Sequence, residues 1–186
     1  MILPGAAVIR RGLVRNLPSA KLQQQPCGVD LTLRRVLEWT TAATVDLDNS
    51  KRVTAQVKEK PFEHQKMDRQ QSSDSGSDSP TQPLESDHPI FLPQGSYLIE
   101  FNETVTTPLD TAAQIFIRSS LFRSGVCFTA GLMDSGYEGA VGGLLQVVNK
   151  HGLKLYPNAK LAQIVFHEMK EPVKGYDGVY QGRKSV

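Results

Sequence analysis

Two stretches of this sequence carry residue types that could do chemistry on a charged, ring-bearing ligand. In the first, Arg118, Ser119, Ser120 and Arg123 fall within a run of six residues. Arginine offers planar, permanently charged donors that pair two-pronged with phosphate oxygens, and serine hydroxyls and backbone amides complete such a shell. The same residues would also suit a polar loop whose arginines pair with carboxylates. No glycine-rich phosphate loop of the GxxxxGK type occurs. The second stretch, Gly131 to Gly139, sets a carboxylate, Asp134, and an aromatic ring, Tyr137, among the glycines 131, 136 and 139. A carboxylate at the mouth of a hairpin can hold a water molecule. Facing a phosphorus or a polarised carbon it acts as a general base, a role typically worth about 10² to 10⁴ in rate. A tyrosine ring can lie under a sugar or base, and glycine lets backbone approach a ligand closely because no side chain intervenes. A turn-forming aspartate and a core aromatic are the plainer uses of the same two residues.

Strands must position these groups. Ala112 to Ile117 is an apolar run that leads directly into the arginine and serine cluster. Upstream, Val29, Leu31 and Leu33 alternate with polar residues after Pro26-Cys27-Gly28, the pattern of a half-buried strand. That alternation points Asp30 away from the core. Strand-like sequence continues from Val36 to Leu47 with Trp39 as a large aromatic anchor, and Asp46 to Arg52 reads as a polar turn. Further strands are expected at Ile90–Pro93, Tyr97–Phe101 with a turn before Val105, Leu153–Tyr156 and Leu161–Phe166. Near the start, Val8, Ile9, Leu13 and Val14 at helical spacing predict a short covering helix within Ala6–Leu17, stopped by Pro18. Short strands separated by Gly, Pro and Asn imply an all-β barrel or sandwich.

The 186 residues fit a single domain spanning 1–186. From 58 to 87 the sequence turns to Ser, Asp, Gln, Lys, Glu and Pro, with Phe62 as its aromatic residue. Such a segment buries too little apolar surface to offset its ordering entropy, so a disordered insertion is expected there. Its SSDSGSDSP core offers serines for phosphorylation or simply a solvated loop. Hydrophobic residues make up 39% and charged residues 22%, and no apolar run approaches the roughly 20 residues that cross a bilayer. Arg10 and Arg11 interrupt the apolar start, which disfavours a signal peptide. The expectation is an intracellular protein, cytoplasmic or nuclear, with no membrane partner. A net charge of +2 is too small to draw nucleic acid to the whole surface. Cys27 and Cys127 fit no zinc spacing and are expected as buried free thiols, and the four histidines lack metal-site clustering.

The runs RSSLFRSG, TAGLMDSGYEG, LAQIVF and YDGVYQG, in that order, resemble the shared signature of the dUTPase and dCTP deaminase superfamily. PCGVDLTL resembles its first motif, and YLIEFNETVTTPLDTAAQIFIRSS the strands before its second, so the likeness covers roughly 25–48 and 90–182. The resemblance implies a distorted β-barrel or jelly roll, a homotrimer with active sites at subunit interfaces, and Mg²⁺ carried on the nucleotide triphosphate with no direct protein ligand. It further implies that Ser119, Ser120 and Arg123, with Arg118 beside them, touch phosphates, and that Asp134 orients the attacking water. Tyr137 would pack on deoxyribose, Gly131 would approach the ligand, and Gln163 would help with phosphate. Asp30 would lie near the triphosphate or water on its metal. The arm over 175–186, with Tyr176, Tyr180 and Gln181, would be flexible and close over the nucleotide. Deaminases of the superfamily use a glutamate on the strand after the hairpin, three residues before an asparagine. That position is Gln146 here, in the base-binding strand, and the alternative register gives Leu144; neither can shuttle a proton. The expected activity is therefore dUTP hydrolysis to dUMP and pyrophosphate. The ending lacks the glycine-rich tail of trimeric dUTPases and resembles the deaminase-like branch. A dCTP deaminase, alone or bifunctional, and a weakly catalytic nucleotide-binding regulator are the alternatives.

Overall fold

Residues 1–62 and 88–186 are described by the structure, a computed structural model. The elements in chain order are α1 (Gly5–Arg10), β1 (Val14–Arg15), α2 (Ala20–Gln23), β2 (Gln24–Gln25), β3 (Gly28–Trp39), β4 (Val57–Lys60), β5 (Ile90–Leu92), β6 (Gly95–Thr106), β7 (Thr111–Ile117), α3 (Ser119–Arg123), β8 (Val126–Thr129), β9 (Glu138–Val147), β10 (Leu153–Leu155) and β11 (Lys160–Glu168). Among the described residues, nine strands form one sheet along the path β7-β11-β3-β6-β9-β8, with β1 added to β6 and β2 and β4 to β3. The two ends of that path, β7 and β8, lie against each other, so the sheet nearly closes into a barrel. This is the all-β, barrel-like architecture expected. β5 and β10 pair separately.

Burial follows from place in the path. β11 lies between β7 and β3, and Leu161, Ala162, Ile164, Val165 and Phe166 are all buried. Leu31 and Leu33 of β3, Ile99 and Phe101 of β6, and Leu145 of β9 meet them in one core. The irregular strand is β6: its register with β9 slips between Glu100 and Thr104, where Glu100 faces Gly142 but Thr104 faces Ala140. Four residues of β6 thus span two of β9, a bulge that sharpens the bend of the sheet.

Several local expectations are corrected. The N-terminal helix is shorter, because Gly12 adopts φ 65 and turns the chain, with its amide on Ile9 O and that of Leu13 on Val8 O. Leu13 still reaches the core, but Val14 does so from a strand. β3 ends at Trp39, which is 41% exposed and anchors nothing central, and residues 40–56 form an excursion instead of more strand. Within it the polar turn is as expected: Lys51 N donates to Asp46 Oδ2 and Ser50 N to Asp48 Oδ1. β6 runs through the expected turn before Val105 as a bulge. Lys58–Lys60, assigned by composition to the insertion, belong to β4, and Phe62 packs on the core. The rest of that expected insertion, 63–87, including the serine-rich core, lies outside the described residues. Both cysteines are exposed, not buried: Cys27 sits in the turn before β3, and Cys127 points outward opposite Gln146.

Candidate active site

The loop between β8 and β9 presents Asp134. Its neighbours Met133 and Ser135 are buried, at 8% and 5% exposure, while Asp134 itself is exposed. Met133 exchanges both backbone hydrogen bonds with Ala113 of β7. Ser135 Oγ donates to Thr111 O at 2.7 Å, Gly136 N to Thr107 O at 2.7 Å, and Thr107 N to Tyr137 O at 2.8 Å. The loop is therefore stitched to β7 and the end of β6 on either side of the carboxylate, which projects with no hydrogen bond to its oxygens among the described residues.

Asp134 stands on the rim of a cavity of about 380 Å³. Tyr137 forms one wall, and Val141, Gly142 and Gly143 of β9 form the floor. A side chain at 142 would put its Cβ 2.2 Å from Ile99 O, and one at 143 would put it 2.5 Å from the Phe128 ring, so only bare backbone fits there. Along this edge of β9, residues 144–147 pair with β8, while Glu138 and Ala140 bond to the C-terminal segment. Alternation along a strand then turns the Gly142 N–H and C=O into the intervening gap, a donor and an acceptor facing the cavity.

Tyr137 is half-buried, and its phenol donates to Ala140 O at 2.6 Å. Burial pushes its pKa up, the neighbouring Tyr176 adds to the rise, and Arg183 partly offsets it. Tyr176 meets it edge-on, with ring centres 5.7 Å apart. The C-terminal segment closes the remaining side. Tyr176 N donates to Ser135 O, Gly182 N to Glu138 O, and Ala140 N to Arg183 O. Gln181 uses its side chain twice, Nε2 donating to Gly136 O and Oε1 accepting from Glu138 N. Tyr180 and Arg183 complete the wall. A second cavity, of about 260 Å³, also has Asp134 and Tyr176 in its lining, together with Lys174.

The other expected cluster lies elsewhere on the chain. Buried Leu121 anchors α3, the single turn that follows β7, and Ser119, Ser120 and Arg123 face outward. Arg118 precedes this turn, with Nε 3.4 Å from Asp30 Oδ1 and Nη1 3.3 Å from Lys160 O. Asp30 is only 1% exposed, against the outward position its alternation suggested. It is buried because charge surrounds it: Lys160 Nζ lies 3.2 Å from Oδ2, and Gln25 Nε2 donates to that oxygen at 2.9 Å. Arg118 thus has a carboxylate partner within its own chain, one of the two uses its sequence left open. Among the described residues, Asp30 Oδ1 has no hydrogen-bond donor. Gln163 sits between Asp30 and Phe116 in the sheet. Lys160 escaped sequence reasoning, since only the pairing of β11 with β3 brings it to Asp30.

The two clusters are far apart. Met133 pairs with Ala113 near the start of β7, and Ser119 lies six residues further along. At about 3.3 Å per strand residue, ~20 Å of chain separates them. Gly131 lines the Asp134 cavity, but Gln146 does not: it lies on β9 opposite Ser96 and Cys127, exposed.

A family model described as dCTP deaminase-like matches residues 5–169. The chain is 34% identical over 174 residues to a protein of Methanosarcina mazei named probable deoxyuridine 5'-triphosphate nucleotidohydrolase, covering 93% of this chain and 89% of that one. It is 31% identical over 169 residues to the deoxyuridine 5'-triphosphate nucleotidohydrolase of Methanocaldococcus jannaschii, covering 90% and 92%. Among solved structures, the 2'-deoxycytidine 5'-triphosphate deaminase of Agrobacterium tumefaciens superimposes with a TM-score of 0.60 at 15% identity, over 90% of this chain and 48% of that one. At that identity the likeness speaks for the fold.

Proposed function

The chain belongs to the dCTP deaminase-like family, and from that premise we propose that it is a dUTP diphosphatase, converting dUTP and water to dUMP and pyrophosphate. Relatives that carry this activity in their names match nearly its whole length. The observation that carries the reading is Asp134, the only acidic side chain lining the larger cavity among the described residues. Uracil enters over Gly142 and Gly143, where backbone N–H and C=O read its edge, and deoxyribose packs on Tyr137. Asp134 accepts a proton from a water whose oxygen bonds to the α-phosphorus. The bridging oxygen to the β-phosphorus leaves with its electron pair as pyrophosphate. Deamination at cytosine C4 would need a second group to deliver a proton to departing ammonia. Gln146 and Leu144 cannot supply it and lie outside the cavity.

The phosphates are the business of Ser119, Ser120 and Arg123. Because one chain holds these about a strand's length from its own Asp134, a complete site takes Asp134 from one copy and the serine–arginine turn from the next, as a homotrimer allows. Magnesium would be carried on the triphosphate by phosphate oxygens and water, an arrangement that needs no all-protein cage. When bound, it draws negative charge off the phosphate oxygens. Asp30, whose Oδ1 has no hydrogen-bond donor among the described residues and lies beside the Arg118 guanidinium, would accept from water on the phosphates, and Gln163 would stand beside it. Among the described residues no helix is long and apolar enough to cross a membrane.

The test is a product assay with magnesium and either dUTP or dCTP, following pyrophosphate and ammonia. Pyrophosphate from dUTP alone is expected, and Asp134→Asn should lower it by about 10² to 10⁴ while nucleotide binding persists. Ammonia from dCTP, or full turnover by Asp134→Asn, would overturn the assignment.

A further inference from the structure

Residues 40–56 leave the barrel at the end of β3 and return as β4, and nothing in the reaction just described uses them. The excursion is tied along its length: Thr40 N donates to Gln56 O, Gln56 N to Thr41 Oγ1, and Thr44 and Val53 exchange backbone bonds. At its tip, Asp46 and Asp48 accept from the amides of Lys51 and Ser50, and Asn49 takes φ 64. A well-braced tip therefore holds Arg52, whose guanidinium lies 5.8 Å from the centre of the Tyr180 ring. Arg183 approaches the same ring at 5.0 Å. Both distances fall within the range at which a guanidinium is attracted to an aromatic ring. Tyr180 and Arg183 line the Asp134 cavity.

Beyond Arg183, the segment is fastened to the barrel again. Glu100 of β6 is fully buried and paired with Arg34 and Arg35, both at 2.8 Å. Val186 N donates to Glu100 Oε2 at 3.0 Å, and Arg34 Nη1 donates to Lys184 O at 3.3 Å. Ser185 and Val186 reach the cavity as well. Two separate parts of the chain thus hold the segment from outside, one at Tyr180 and one at 184–186.

We propose that Arg52 and the Arg34–Glu100 pair are positioning residues, which hold residues 180–186 closed over the cavity of the chain that supplies Asp134. Without these contacts the segment spends more time open, and a nucleotide must recruit it before the site is complete. Apparent affinity falls with the closed fraction, whereas saturating nucleotide restores closure and therefore turnover. The kinetic part of this inference rests on the dUTP reading; the closure itself does not.

The experiment measures amide exchange of Gly182 and Ala140, whose hydrogen bonds exist only when the segment is docked, on the full chain without nucleotide. Arg52→Ala should speed exchange at both by about three- to tenfold, the range a lost exposed cation–aromatic contact and its neighbours allow. Exchange at Ile164 in the core should stay as it was. Arg52→Lys, which keeps the cation, should restore protection, and Arg34→Ala should loosen the same amides from the other end. With dUTP, Arg52→Ala should raise KM and leave kcat within about twofold. Unchanged exchange at Gly182 and Ala140 in both alanine variants would overturn the proposal. So would a fall in kcat with KM unchanged, since that would put Arg52 on the reacting phosphates. Silence of the wild type towards dUTP would overturn the functional assignment, while the exchange data would still decide the clamp.

Discussion

Two variants, each inactive alone, should regain activity when mixed. The perturbations are Asp134→Asn, at the proposed base, and Arg123→Ala, at the proposed phosphate cation. Within a chain these residues belong to opposite ends of β7, because Met133 pairs with Ala113 while α3 begins at Ser119. About 3.3 Å per residue over that stretch gives ~20 Å, too far for one triphosphate to join them. A site shared between neighbouring copies instead needs an intact Asp134 from one chain and an intact Arg123 from the next. In a random equal mixture each condition is met half the time, so about one quarter of the sites are whole. The assay is to co-express the two variants with different tags, isolate the mixed assembly and follow pyrophosphate from dUTP. Each variant alone should fall by about 10² or more, so recovery towards one quarter of wild-type turnover stands far above background. No recovery in a verified mixed assembly would refute the reasoning, because Asp134 and Arg123 would then have to serve from one chain.

Three further outcomes follow from individual residues. Gly142→Ala should severely impair both folding yield and dUTP turnover, since its Cβ would sit 2.2 Å from Ile99 O; soluble protein with normal KM would contradict the bare-backbone floor. Glu103 is buried, and burial raises its pKa above 4.5 despite hydrogen bonds from Thr32 and Gln23. A raised carboxyl pKa means the folded state holds its proton longer, so stability present below about 4.5 is lost as pH rises through the folded value. Urea midpoints of wild type minus Glu103→Gln should fall across that window, and parallel curves would exclude the effect. Tyr137 and Tyr97 both have pKa values raised above 10, chiefly by burial. Stability contributed by the neutral phenols is present below 10 and lost as pH climbs through the raised values. Absorbance titration should therefore show late phenolate formation, part of which Tyr137→Phe removes.

What the sequence displayed best was local. The apolar run before Arg118 became β7, the glycine-bounded stretch around Asp134 became the β8–β9 loop, and the Asp46–Arg52 turn formed where its side chains favoured it. What it concealed was long-range pairing. Period-two alternation placed Asp30 outward, but β11 brings Lys160 and the end of β7 brings Arg118 beside it, so a carboxylate in an outward position is enclosed by cations. Likewise Glu103 looks like a residue near a turn, yet it lies inside a bulged strand because Thr32 and Gln23 meet it from distant parts of the chain. Arg52 and Tyr180 stand 128 residues apart in sequence, and no periodicity links them. Cys127 was expected inside on the habits of its residue type, and the register of β8 with β9 turned it outward.

The way the Asp134 loop is fastened has a bearing on how such a site can diversify. Its ties run largely through the backbone of Met133, Ser135, Gly136 and Tyr137, with the Ser135 hydroxyl and the Gln181 amide as side-chain contributions. Hydrogen bonds of that kind are indifferent to the side chains beside them, so Leu132, 57% exposed at the cavity wall, can drift without unfastening the carboxylate. The β6 bulge is the opposite case. Glu100 reaches the C-terminal segment, Asn102 the Asn158 turn and Glu103 the N-terminal segment, all by side chain. One change there alters a lid, a turn or a brace, whereas a change at Leu132 alters the cavity wall and leaves these ties in place. Selection for a new nucleotide therefore has a route through Leu132 that leaves the scaffold undisturbed.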